Sequence, residues 1–305
     1  MQKIIRSPFF YVGDKYKIIN QIKKFMPEKI NNYYEPFVGG GSSFLNIKAN
    51  QYYLNDINYK IIELHNYLNS NSCKDYKIIE KIIKKIKEFH LSCSFIGDTV
   101  PIELKQKFKK TYYSKYNKEA YTFLKDIYNK NHCNDSLLLY ILLIYGFNHM
   151  IRFNKSGFFN LPVGNVDFNK NVFEALKNYI QFSLNNNINF ENKDYIIFMQ
   201  NKTLNNNDFV YLDPPYLISS SEYNKLWNET KELELYDFID KLNSKNINFG
   251  ISNLLTHKGR ENNILKNWMK KYKVYDINSN YISRFDNSIK KDSREVYITN
   301  YEKKN

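Results

Sequence analysis

The chain has 305 residues, 43% of them hydrophobic and 17% aromatic, which suits a folded core in one elaborated domain or two modest ones and argues against disorder. Forty-five Lys and Arg against 31 Asp and Glu give a formal charge of +14. That excess points to a polyanionic partner, nucleic acid first and an anionic membrane surface second, with a lysine-rich solvated surface as the plain alternative.

Residues 1–7 carry Lys3 and Arg6 with no long apolar region behind them, so they do not read as a secretory signal. Phe10-Tyr11-Val12-Gly13-Asp14-Lys15 reads as a strand-to-helix turn, with an aromatic and a lysine placed to meet a ligand or a site acid. The first sixty residues then have α/β character. Tyr33 to Phe37 forms a strand that runs into Gly39-Gly40-Gly41-Ser42, residues 43–47 start a helix, and Gln51 to Asn55 forms a second strand ending at Asp56. Strand, glycine turn, helix, strand and acid is the order of a mononucleotide-binding half. Glycines there let the backbone approach a ligand closely, and the predicted helix N-terminus could meet a carboxylate. The spacing is not that of a dinucleotide site, which counts against a nicotinamide-dependent oxidoreductase.

From about Ile61 to Phe147 the pattern is helical. Ile79, Ile82, Ile83 and Ile86 make an apolar stripe of the kind that packs a core, and Leu137 to Ile144 reads as a buried helix, far short of the ~20 residues that span a bilayer. Phe147 to Gly164 reads as a hairpin that mixes amide, guanidinium and aromatic groups. Arg152 can bond a guanine edge, Asn148 an adenine edge and Met150 a thymine methyl, Phe147 can wedge into a base stack, and Lys155 suits a phosphate. The runs Asn185 to Asn187 and Asn205 to Asn207 read as loops.

The α/β character returns after about residue 190. Residues 208–212 form a strand ending in Asp213-Pro214-Pro215-Tyr216. Glu232 to Leu242 reads as a helix, Asn248 to Asn253 as a strand, and Lys273 to Ile277 and Glu295 to Tyr301 as two closing strands. Cys73, Cys93 and Cys133 stand far apart without a C-x-x-C pair, so neither a zinc site nor a disulfide framework is indicated. His149 and His257 have no second ligand at useful spacing, and no metal is expected.

Asp213-Pro214-Pro215-Tyr216 carries the most chemistry. The lone pair of an exocyclic ring amine is delocalised, so an enzyme must draw that nitrogen toward tetrahedral geometry by accepting its protons. Asp213 offers a carboxylate for one and the Pro214 carbonyl can take the other, in a turn that two prolines stiffen. Tyr216 offers a face for an extruded base, worth about 1–3 kcal/mol per stacked base. The place fits too, because ligands of open α/β sheets bind beyond the carboxyl ends of the strands. The structural alternative is a loop in which two prolines merely end a strand.

With these parts in order, the sequence resembles the Dam-like (D12-class, group α) DNA adenine-N6 methyltransferases from about Ser7 to Tyr301. The resemblance implies a Rossmann-like S-adenosylmethionine-dependent core, residues 1–62 and 190–305, with a mainly helical target-recognition insert, residues 63–189, carrying a β-hairpin. It implies transfer of a methyl group from S-adenosylmethionine to N6 of a flipped adenine in double-stranded DNA, with a GATC-like site among the options. By position, Tyr11, Lys15, Pro36, Phe37, Gly39, Gly41, Asp56 and Asp213 fall at the cofactor, with Asp56 toward the ribose hydroxyls. Asp213, Pro214 and Tyr216 fall at the target base, and Phe147, Asn148, Met150, Arg152, Lys155 and Pro162 at the DNA. Two departures stand out: Gly13-Asp14-Lys15 replaces the common Gly-Gly-Lys, and Phe10 stands where GATC enzymes carry a base-reading lysine. Polar residues 219–228 are expected to close over the extruded base. A cognate restriction endonuclease is a candidate partner, an orphan methylase the alternative, and a cytoplasmic location the expectation. The rival readings are methyl transfer to RNA adenine or protein glutamine, and a DNA-binding protein built on an inactive enzyme.

Overall fold

A computed structural model of the protein describes residues 4–219, 227–278 and 293–302. In chain order the elements are α1 (Ile19–Lys23), β1 (Asn32–Glu35), β2 (Gln51–Asn55), α2 (Tyr59–Ser70), α3 (Lys77–Glu88), α4 (Ile102–Lys107), α5 (Tyr112–Lys130), α6 (Ser136–Tyr145) and α7 (Lys170–Asn185). There follow β3 (Asn187–Glu191), α8 (Tyr195–Gln200), β4 (Phe209–Leu212), α9 (Glu229–Ser244), β5 (Asn248–His257), β6 (Arg260–Glu261), α10 (Asn263–Trp268), β7 (Lys273–Ile277) and β8 (Arg294–Thr299). The chain divides into two compact units. One holds residues 1–14, 39–45 and 58–186, and the other residues 15–38, 46–57 and 187–305.

The second unit is built on a mixed sheet in the order β3-β2-β1-β4-β5-β8-β7. Strands β3, β2, β1, β4 and β5 are parallel, β8 runs antiparallel to β5, and β7 antiparallel to β8. Strand β4, Phe-Val-Tyr-Leu, is buried on both faces, as its central place demands. Val210 and Leu212 join Leu235, Ile239, Phe249, Ile251, Val296 and Ile298 in a core that α8, α9 and α10 complete with Phe198, Tyr236 and Trp268. Tyr236 and Trp268 stack at 4.3 Å. On the other side Tyr297 lies between Phe25 and the glycine at 250, and a Cβ at Gly250 would collide with the Tyr297 ring. That close approach explains a glycine inside a buried strand.

Three expectations about local structure fail. Among the described residues no strand precedes the turn from Phe10 to Lys15, and α1 begins only at Ile19. No α-helix follows the glycine turn; only Phe44–Asn46 makes a single 3-10 turn. Nine residues separate Gly41 from Gln51, and Asn50 is already bonded through its N–H to the carbonyls of Ile30 and Asn31, so too little chain remains to build one. The run Asn185 to Asn187 is not a loop: α7 ends at Asn185 and β3 begins at Asn187, paired with Gln51. A sheet-edge position accepts the polar Asn187-Ile188-Asn189 alternation that a central strand would not.

The first unit is helical. Helix α6, Ser-Leu-Leu-Leu-Tyr-Ile-Leu-Leu-Ile-Tyr, is buried from Leu138 to Tyr145 and capped by Asp135, whose side chain accepts from the Leu138 N–H. Around it, α2, α3 and α5 turn the buried faces Ile61/Leu64/Leu68, Ile78/Ile82/Ile86 and Tyr121/Leu124/Tyr128 inward. After α6 comes the expected hairpin, though a sparse one. Its stem is closed by Phe147 N–H to Pro162 O and Gly164 N–H to Tyr145 O, and further out Asn160 N–H bonds Arg152 O and Asn154 N–H bonds Phe158 O. Among the described residues, no helix is long and apolar enough to cross a membrane.

Candidate active site

The parallel strands of the second unit bring their carboxyl ends to one edge, and the chemistry-bearing residues of that unit collect there. Asp213 follows directly on β4, Glu35 closes β1, and Asp56 follows β2. Because β8 runs antiparallel to β5, its first residues arrive at this same edge, and Glu295 pairs with Leu254. Lys15 reaches in from the segment before α1.

Lys15 Nζ lies 2.8 Å from Asp213 Oδ1 and 3.9 Å from Glu295 Oε1, with side-chain exposures of 7%, 18% and 0% respectively. The Tyr216 hydroxyl is 3.1 Å from Asp213 Oδ1 and 2.9 Å from Glu295 Oε1, and the Lys15 ammonium stands 4.9 Å from the centre of the Tyr216 ring. Burial raises the Asp213 carboxyl above its ordinary range; the Lys15 ammonium opposes that rise and the Glu295 charge adds to it. Beneath the cluster, Tyr211 bonds Ser252 at 2.8 Å and Tyr33 donates to Glu35 at 3.1 Å. Burial, and then the Asp213 charge, hold the Tyr211 phenol far above its usual value. Asp213 and Tyr216 are thus the partly exposed members of a set of otherwise buried groups, and perturbed carboxylates of this kind cluster at functional sites.

Phe37 and Pro36 belong to the same unit. The Pro36 carbonyl accepts from the Asn55 side chain at 3.1 Å, and the Phe37 ring meets Tyr195 at 5.1 Å and Trp227 edge-on at 5.9 Å. The Asn192 side chain donates to the carbonyls of Asp56 and Ile57, at 2.8 and 3.0 Å, and Asn55 ties itself to Lys193 through both its amide groups. The turn that carries Asp56 is therefore held by the loop after β3.

Tyr11 and the glycine turn fall in the first unit. Gly39 and Gly41 have φ of +47° and +80°, and a Cβ on Gly40 would stand 2.7 Å from the Tyr11 Cβ. The Gly40 carbonyl accepts from Ser7 Oγ, and the Gly39 carbonyl lies 2.9 Å from His65 Nε2. The Gly39 carbonyl can only accept, so Nε2 carries a proton, while His65 Nδ1 meets the Tyr179 hydroxyl at 3.0 Å. Full burial lowers this imidazole to about 4, with the Gly39 carbonyl working the other way. A base depressed in the folded state contributes stability above its unfolded value near 6.5, and that stability is lost as the pH falls toward 4. His65 should therefore remove about 3 kcal/mol of folding stability between pH 7 and pH 4. Denaturant titrations of the chain and of His65→Gln over that range check this; parallel pH slopes would refute it.

In the hairpin, Phe147 and Phe158 are exposed at 40% and 49%. Asn148, Lys155 and Pro162 are exposed as well, while Met150 and Arg152 are half-buried. Asn148 and His149 both have φ above +50°, which projects the turn after α6 outward. Arg152 donates from Nε to Asn160 Oδ1 at 2.9 Å and from Nη2 to Asn160 O at 2.8 Å, so part of its fork stiffens the hairpin. Phe10 lies under the Arg6 guanidinium at 4.3 Å and beside His149 at 5.5 Å. Of the segment 219–228, residues 220–226 lie outside the described residues. Among the described residues no group of three or more His, Cys, Asp or Glu side chains could hold a metal ion, and the three cysteines are free.

Sequence reasoning overlooked Glu295 and His65. A signal for the first was present: in Arg294-Glu295-Val296-Tyr297-Ile298-Thr299 the strand period puts an acid on the face of Tyr297, where a buried strand should carry an apolar residue. Nothing local marked His65, whose partners lie 26 and 114 residues away.

A mostly parallel sheet of this order, with a glycine turn after its first strand and an Asp-Pro-Pro-Tyr turn after β4, defines a Rossmann-like methyltransferase core. Residues 11–282 match the family model of D12 class N6 adenine-specific DNA methyltransferases, and the chain belongs to that family. It is 35% identical over 313 residues to the modification methylase StsI of Streptococcus sanguinis, covering 99% of this chain and 44% of that protein. It is 34% identical over 305 residues to the type II methyltransferase M.FokI of Planomicrobium okeanokoites, covering 97% and 43%. Against the DNA adenine methylase of Escherichia coli (strain K12) it is 29% identical over 214 residues, covering 70% and 66%. The chain thus spans less than half the length of the first two relatives.

Proposed function

We propose that the chain transfers a methyl group from S-adenosylmethionine to N6 of an adenine flipped out of double-stranded DNA, and that Asp213, Pro214 and Tyr216 act on that base. The observation that carries this reading is the cluster at the end of β4: a carboxylate open to 18%, anchored by Lys15, beside an aromatic ring. Asp213 accepts one amine proton and the Pro214 carbonyl the other, while Tyr216 supports the purine by stacking. No strong general base is required, because the methylated amine becomes acidic and loses its proton afterwards; catalysis is positioning and electrostatics.

The residues present fit the cofactor. The Gly39 to Gly41 turn is tightly packed, with Tyr11 against Gly40, and its glycines at φ +47° and +80° let the backbone turn as residues with a Cβ rarely do. Asp56, at the end of β2, supplies an acceptor for two ribose hydroxyls; Lys15, Pro36, Phe37, Gly39, Gly41 and Asp213 complete the set. When bound, S-adenosylmethionine supplies an electrophilic methyl group on a sulfonium. Residues 63–189 form the target-recognition domain in this reading, with Phe147, Asn148, Met150, Arg152, Lys155 and Pro162 meeting DNA. The family supports DNA as the substrate, and the relatives named as modification methylases favour a restriction–modification role with an endonuclease partner over an orphan one.

Incubation with tritium-labelled cofactor should label duplex DNA and leave RNA and protein unlabelled; label in RNA alone would overturn the reading. Arg152→Ala should relax discrimination at one base pair by about 1–3 kcal/mol, read from methylation of single-substituted duplexes. Equal weakening on every duplex would assign the guanidinium to the hairpin and the phosphates instead.

A further inference from the structure

The Tyr216 hydroxyl has two carboxylate oxygens within hydrogen-bond distance, Asp213 Oδ1 at 3.1 Å and Glu295 Oε1 at 2.9 Å. A phenol carries one proton and can donate to one of them at a time. The Lys15 ammonium decides which. It sits 2.8 Å from Asp213 Oδ1 and 3.9 Å from Glu295 Oε1, so it withdraws more electron density from the Asp213 oxygen and leaves the Glu295 oxygen the better acceptor. Glu295 has a fully buried side chain on a paired strand and is not placed to touch DNA or solvent. It also makes Asp213 harder to ionise, an unfavourable effect that a purely structural position would avoid by carrying an apolar residue.

We propose that Glu295 is a positioning residue of the reaction: it accepts the hydrogen bond of the Tyr216 hydroxyl, fixes the ring on which the base stacks, and so keeps the Asp213 carboxylate available to the target amine. Without Glu295 the phenol turns its proton to Asp213, whose oxygen already accepts from Lys15. Asp213 then becomes a weaker acceptor where acceptor strength sets the rate. The inference rests on Asp213 being the amine acceptor.

A double-substitution cycle on the full chain tests it, with single-turnover methylation of a duplex and duplex affinity both measured. Glu295→Ala should lower the methyl-transfer rate about 100-fold, and Glu295→Gln, which keeps a neutral acceptor, roughly tenfold. Duplex affinity should stay within about threefold in both. In a Tyr216→Phe background there is no phenolic proton to divert, and the Glu295→Gln loss should shrink below about twofold. Equal losses in the two backgrounds, or a loss carried wholly by duplex affinity, would overturn the role of Glu295. Should Glu295→Ala fail to fold, Glu295→Gln completes the cycle alone. Asp213→Ala separates the two levels of the account: full activity there removes the underlying reading, whereas an inactive Asp213→Ala with additive Glu295 losses removes only this inference.

Discussion

Asp213→Asn should lower the single-turnover rate of methyl transfer by about 10²–10³-fold, or about 2.7–4 kcal/mol, the effect of removing one preorganised electrostatic contact from a transition state. Asparagine keeps the shape but replaces a charged acceptor with a neutral amide; with its oxygen held by Lys15, its NH2 group faces the amine protons that the carboxylate accepts. The contact strengthens as the nitrogen gains positive charge, so the loss belongs to the chemical step. Duplex affinity should change little, because the carboxylate lies at the end of β4 and not in the hairpin proposed to meet the DNA. Rapid-quench assays with saturating cofactor measure the rate, and anisotropy of a labelled duplex measures the affinity. A rate within tenfold of the unmodified chain would remove Asp213 from the chemistry.

The second large effect is expected at Lys15. Among the described residues, its ammonium pairs with two carboxylates, at 2.8 and 3.9 Å, whose side chains are 18% and 0% exposed. Lys15→Ala leaves them facing each other, and breaking a buried charge set by removing one partner costs about 3–5 kcal/mol. Its pH dependence has a definite sign. Burial already raises the Asp213 carboxyl, the Lys15 ammonium restrains that rise, and removing the lysine lets it climb further. An acid whose folded-state value is raised binds protons more readily folded than unfolded, so the folded state gains as the pH falls. The deficit of Lys15→Ala relative to the parent should therefore be smaller at pH 5 than at pH 8 in denaturant titrations. A deficit that grows on acidification, or is below about 1 kcal/mol throughout, would show that the lysine does not neutralise this cluster.

The parts of the fold legible in the sequence are those whose pattern is local. Phe209 to Leu212 reads as a buried strand because four apolar residues end abruptly at an acid and two prolines, and it is one. Lys273 to Ile277 and Asn248 onward alternate or run apolar in the same readable way. The helix expected after Gly41 does not form: Ser42 to Ile47 has acceptable helical propensity, but the distance to the next parallel strand allows a single turn. Asn187 was read as loop because asparagine disfavours strands, a preference that an edge position relaxes. At the candidate site the sequence offered Lys15 as a partner for either a ligand or an acid, and the lysine sits on Asp213. It did not offer Glu295 or His65, because their roles exist only once β8 has turned antiparallel and α2 has packed under the glycine turn. The hairpin was foreseen as a segment, but the use of Arg152 to brace Asn160 depends on a register that no spacing rule gives.

We propose that this chain places N6-methyladenine at defined positions in DNA through the acid at 213. Expression in a host lacking adenine methylation, followed by single-base sequencing for N6-methyladenine, tests it most directly. One recurrent sequence context should be modified in the genome of cells carrying the unaltered chain and unmodified in cells carrying Asp213→Ala. A genome without N6-methyladenine, or the same pattern with Asp213→Ala, would contradict it.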